Sequence, residues 1–94
     1  MERDKAKGYI NIAHKAGYLI IGSDNLDGYD KKLYIVILDK TAGKNSKKIA
    51  YRLAEKGIAV KEIDNLEEFS SIKNCKIVGV KNKQISDILL ELLS

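Results

Sequence analysis

The sequence contains one cysteine, Cys75, and no proline or tryptophan. A single thiol excludes an internal disulfide framework and a cysteine-rich zinc site, and it fits a reducing compartment. The one histidine, His14, has no second histidine with which to build a metal centre. It reads instead as a residue near the free carbonyls at the end of a helix. Cys75 has no neighbouring histidine to make a nucleophile pair and reads as a packed thiol. No apolar run approaches the roughly 20 residues needed to span a bilayer, and "MERDKAKG" lacks the apolar segment of a secretion signal. A cytoplasmic location without membrane association is expected. There is also no linker, repeat or low-complexity tract.

What is present is enough for one core. The 94 residues are 45% hydrophobic and 32% charged, which leads to the expectation of one domain spanning 1–94. The net charge of +4 is mild, but it is segregated. From Lys40 to Leu53 there are five cations (Lys40, Lys44, Lys47, Lys48 and Arg52) and no acid. Asp24, Asp27 and Asp30 form one acidic stretch; Glu62, Asp64, Glu67 and Glu68 form another. Without histidines or the alternating carboxylates of a calcium loop, these acids read as solvated turns and helix starts.

Apolar residues at Ala6, Tyr9, Ile10, Ala13 and Ala16 make the stripe of an amphipathic helix over Arg3 to Ala16, which Gly17 ends in a left-handed conformation. Tyr18 to Ile21 reads as a short strand, and Ser23 as the cap of a helical turn weakened by Gly28. The uninterrupted, β-branched Leu33 to Leu38 has the signature of a central strand covered on both faces. A helix is expected over Lys44 to Lys56 with Ile49, Ala50, Leu53 and Ala54 inward, then a strand over "IAVKEI". Asn65 reads as an N-cap with Glu68 completing a capping box. A strand over Lys76 to Val80 and a helix from Lys83, striped by Ile85, Ile88, Leu89 and Leu92, close the chain. This alternation predicts an α/β fold, with helices on both faces of a mostly parallel or mixed sheet.

Gly43-Lys44, between strand and helix, invites comparison with a nucleotide-phosphate loop, but the spacing excludes one. Leu38 stands where the first glycine belongs, and Asn45 replaces the hydroxyl that holds magnesium. Nothing assembles into a catalytic constellation, so neither an enzyme nor a cofactor is expected. The basic helix is the stronger feature: Lys44, Lys48 and Arg52 share one face, beside Lys47 and after Lys40, at a helix start suited to a phosphate oxygen. The alternative is a solvated helix face with no ligand.

"INIAHKAGYLIIG" (Ile10 to Gly22) carries Ala13, Ala16, Gly17, Leu19 and Gly22 at the spacing A-x-x-A-G-x-L-x-x-G. With "KLYIVILDKTAGKNSKKI", "GIAVKEIDNLEEFSSI" and "KIVGVKNKQISDILLELL", it resembles the ribosomal seven-Ae/thirty-e family of kink-turn RNA binders, most closely its small bacterial YlxQ-like branch. The resemblance covers nearly the whole chain. It implies a three-layer α/β/α sandwich with a four-stranded mixed sheet, no cofactor and no catalysis. It also implies an RNA surface made by the start of the second helix, here Gly22, Ser23, Asp24 and Asn25, and by the loop after the third strand, here Ile63 to Leu66.

Both walls carry carboxylates, which repel a polyanion. Two readings follow. In one, the protein is a ribosome-associated RNA binder that grips phosphates through Lys40, Lys44, Lys47, Lys48 and Arg52, with Lys81 and Lys83 as further contacts and Tyr29 or Tyr51 as a stacking surface. In the other it is a protein-interaction module of the same fold that has lost kink-turn recognition, with a protein partner or a second copy as a homodimer, its acidic elements meeting a basic surface.

Overall fold

Two strands run entirely buried through the middle of a computed structural model that describes residues 2–94. In chain order the elements are α1 (Arg3–Lys15), β1 (Leu19–Ile21), α2 (Ser23–Asp27), β2 (Ile35–Asp39), α3 (Lys44–Glu55), β3 (Ala59–Ile63), α4 (Leu66–Ser70), β4 (Ile77–Val80) and α5 (Lys83–Leu92). The four strands form one sheet in the order β1-β4-β2-β3. β4 is antiparallel to both β1 and β2, and β2 is parallel to β3. Every residue of β2 and β4 is buried, as strands covered on both faces must be, whereas the edge strands β1 and β3 are largely half-buried.

The pleat sorts these strands between two cores. Ile35 and Ile37 of β2 and Val78 and Val80 of β4 pack with Ala6 and Ile10 of α1, Phe69 of α4 and Leu89 of α5. Val36, Leu38 and Ile77 face the other way, onto Leu26 of α2 and Ile49, Ala50 and Leu53 of α3. The result is the expected three-layer α/β/α sandwich with a four-stranded mixed sheet. Gly79 falls on the α2 side, where a Cβ would stand 2.7 Å from Leu26 Cδ2 and 3.0 Å from a Leu33 methyl. Glycine at this position lets α2 and the segment before β2 close on the sheet.

Several boundaries differ from the sequence expectation. The second strand begins at Ile35, not Leu33: Leu33 is buried but outside the ladder, and Tyr34 N–H donates to the Val80 carbonyl at 3.1 Å. Tyr18 precedes β1, donating to Ala13 O and accepting from Lys81 N, both at 2.8 Å. Ala54, expected inward, is exposed, because the buried face of α3 is closed by Ile49, Ala50 and Leu53. Gly17 does end the first helix with φ of +78°, a conformation an L-residue seldom adopts.

Two caps also differ. Ser23 is the first residue of α2, which follows Gly22, and it makes no capping hydrogen bond; Asn25 Nδ2 donates instead to the Ile21 carbonyl at 2.7 Å. Asn65 lies in the left-handed region with φ of 55°, too far from extended geometry to accept an N–H of its own helix. Its amide donates to Glu68 Oε2 at 2.7 Å, and the free N–H of Leu66 goes to Asp39 Oδ2 at 2.8 Å. A cap that the sequence did not announce is Asn82, whose Oδ1 accepts the Ile85 N–H at 2.9 Å and starts α5.

Candidate nucleic-acid interface

Strand direction decides which charged residues meet. Because β1, β2 and β3 run the same way, their C-terminal ends open at one end of the sheet, where α2, α3 and α4 begin. That end gathers Gly22 to Asn25, Lys40 to Lys48 and the Asp64–Asn65 loop. Gly22 turns the chain there with φ of +88° while its N–H reaches the Ile77 carbonyl at 3.0 Å. Ser23 Oγ lies 3.4 Å from Asn45 Nδ2, which brings the starts of α2 and α3 side by side.

Lys81 and Lys83 do not join them. β4 runs opposite to its neighbours, so both lysines follow its far end, about 13–17 Å from the basic loop at a strand rise of 3.3 Å per residue. Lys83 is also tied to Asp87 at 2.9 Å, and that hydrogen bond and charge raise the ammonium pKa. Lys76, which precedes β4, does reach the basic end, donating to Thr41 Oγ1 at 3.0 Å.

The remaining cations divide into paired and free. Arg52 donates to Asp27 Oδ1 at 2.7 Å and ties α3 to α2, and Lys40 lies 3.8 Å from Asp64. Lys44, Lys47 and Lys48 have no ion pair among the described residues. Along α3 two adjacent rows, Lys44–Lys48–Arg52 and Lys47–Tyr51–Glu55, each stepping one turn at a time, border an open groove. Tyr51 is 52% exposed, whereas Tyr29 is half-buried against the α2–α3 core.

Beneath the loop, Asp39 is buried at the end of β2. Its carboxylate accepts from Thr41 N at 2.7 Å, Thr41 Oγ1 at 2.6 Å and Leu66 N at 2.8 Å. Burial alone raises its pKa; the Thr41 and Leu66 hydrogen bonds and the Lys76 charge outweigh this and hold it below the ordinary carboxylate value. The second wall is fixed from the other side by Arg3, whose guanidinium donates to the Asp64 and Asn65 carbonyls and stacks 5.5 Å from the Phe69 ring. None of Asp39, Thr41, Lys76 and Arg3 carried a sequence signal, because each acts on residues distant in the chain. Cys75 is buried, and that burial pushes its thiol pKa up.

The fold is that of a three-layer α/β/α sandwich. A solved structure described as a protein with unknown function from Bacillus halodurans C has the same fold, with a TM-score of 0.80 and 24% identity over 95% of this chain and 96% of that one. No family model and no curated protein matches this chain.

Proposed function

We propose that the protein binds RNA without catalysis, as a ribosome-associated or structured-RNA factor in the cytoplasm, through the N-terminal half of α3. The observation that carries this reading is the group of Lys44, Lys47 and Lys48. All three lie on the first half of one helix, carry no ion pair among the described residues, and border an open groove. Amines not bound to protein acids are available to phosphates, and the helix N-terminus adds donor N–H groups and partial positive charge. Gly22 to Asn25, the residues that the kink-turn family resemblance marks, abut this helix start through Ser23 and Asn45.

The opposite wall, with Asp64, Glu67 and Glu68, repels the backbone, so recognition is phosphate-led and sensitive to salt. Fluorescence anisotropy with a kink-turn RNA and a matched plain duplex, at low and near-physiological salt, tests the reading. Both RNAs are expected to bind at low salt and weaken together as salt rises. Lys44→Glu with Lys48→Glu is expected to remove one to two phosphate contacts and lower the salt slope by about 0.7–1.8. Absence of RNA binding, or unchanged affinity in the double variant, overturns the reading.

A second reading, capture of a basic protein partner, has a specific feature in its favour: an open acidic hollow beside α4 lined by Asn65, Glu67, Glu68, Ser71 and Lys73. Reversing Glu67 and Glu68 releases a partner held there, while leaving RNA binding at α3 intact.

A further inference from the structure

The groove on α3 has a polarity that defines its occupant more closely. Lys44, Lys47 and Lys48 cluster at the helix start, and Glu55 closes the far end. Between them stands Tyr51, the most exposed large aromatic among the described residues, which belongs to neither core. Of the other tyrosines, Tyr9 and Tyr29 pack on the cores, Tyr34 takes the Lys32 ammonium 5.4 Å from its ring, and Tyr18, 38% exposed, does not line this groove. The Tyr51 hydroxyl lies 3.5 Å from Glu62 Oε1 on β3, and about half of the residue is open to solvent.

We propose that this groove takes one unpaired nucleotide of RNA, its phosphate on Lys44 and Lys48 and its base stacked on Tyr51. This rests on the RNA-binding reading and specifies its substrate class. Lysines one turn apart stand about 5–6 Å from each other at their Cβ atoms, close enough to share a single phosphate group. Glu55 opposes continuation of the backbone past Tyr51, so the apolar ring receives the uncharged base. A paired base has both faces stacked inside its helix and cannot reach a tyrosine on a convex helix surface; an unpaired base can.

The test compares a labelled single-stranded oligouridylate with a plain RNA duplex, using wild type, Tyr51→Ala and Tyr51→Phe. Tyr51→Ala is expected to weaken single-strand binding about tenfold and leave duplex binding within twofold. Tyr51→Phe retains the wild-type preference, because stacking needs the ring and not the hydroxyl. With no tryptophan in the chain, tyrosine emission is directly readable, and the single strand quenches it in wild type more than in Tyr51→Ala. Equal losses on both RNAs, unchanged single-strand affinity in Tyr51→Ala, or loss in Tyr51→Phe each overturn the stacking proposal while leaving phosphate-led RNA binding in place. Failure of wild type to bind either RNA overturns the proposal together with the reading beneath it. Since Tyr51 lies outside both cores, thermal melts of the variants are expected to match wild type.

Discussion

The carboxylate of Asp39, the last residue of β2, accepts the backbone N–H of Leu66, the first residue of α4, at 2.8 Å. With Thr41 on its other oxygen, it binds the loop before α3 to the loop before α4 and so sets the spacing of the two walls of the candidate interface. Asp39→Ala leaves the Thr41 and Leu66 N–H groups without an acceptor and is expected to cost roughly 2–3 kcal/mol, measured by urea unfolding at pH 7. The pH dependence has a definite sign. The folded-state pKa is depressed, so the stabilisation is complete above the unfolded value of about 3.9 and is lost as pH falls through the lower folded value. Asp39→Asn flattens that acid limb; an acid-unfolding curve parallel to wild type in that variant contradicts the role assigned to Asp39.

How far the sequence announced this arrangement depends on the range of the interaction. The stripe of Ala6, Ile10 and Ala13 and the unbroken run through Ile35 to Leu38 were legible, because their burial follows local periodicity. Asn65 misled for the same reason. Asn followed by Glu three residues later has the local form of a cap, yet the acceptor for Leu66 comes from 27 residues away and leaves Asn65 free to turn left-handed. The reversal of β4 was equally hidden, since pairing direction belongs to the sheet and not to any strand. The basic run on α3 was visible as composition; which lysines stay free was not, because Asp27 and Asp64 reach Arg52 and Lys40 only in the folded chain.

Gly79→Ala offers a test of how closely α2 sits on the sheet. The added methyl would stand 2.7 Å from Leu26 Cδ2, inside contact distance, and both Leu26 and Leu33 are buried with little room to turn. Overpacking of this size is expected to cost about 1–3 kcal/mol in chemical denaturation. A companion Leu26→Ala change vacates the crowded space, so the double variant should lose less than the sum of the two single losses.

Asp27 restrains one cation of the candidate interface. Its pair with Arg52 is exposed on both sides and contributes at most about 1 kcal/mol to stability. Asp27→Ala frees the guanidinium and removes a like charge from the approach of a phosphate. Tighter RNA binding at low salt is expected, with a salt slope steeper by about 0.7–0.9 and an unfolding midpoint close to wild type. Weaker binding in this variant would mean that Arg52 needs Asp27 to hold it in position.

Lys81 and Lys83 give the sharpest separation between charge as composition and charge as place. Counted along the chain, they are two more cations and equal to Lys44 and Lys48 in any non-specific attraction. In the fold they follow the opposite end of β4, about 13–17 Å along the strands from the loop and first turn that carry Lys40 and Lys44, beyond one Debye length of about 8 Å at physiological salt. Lys81→Glu with Lys83→Glu changes net charge by as much as Lys44→Glu with Lys48→Glu. It is therefore expected to leave RNA affinity within about twofold at 0.15 M salt, where screening removes the distant term, while the α3 pair loses most of its binding. Repeating both titrations at 0.01 M salt, where the Debye length is about 30 Å, should narrow the gap between the two variants. Equal loss from both pairs at the higher salt would show that the RNA covers both ends of the sheet, and that the α3 groove is only one part of a wider contact.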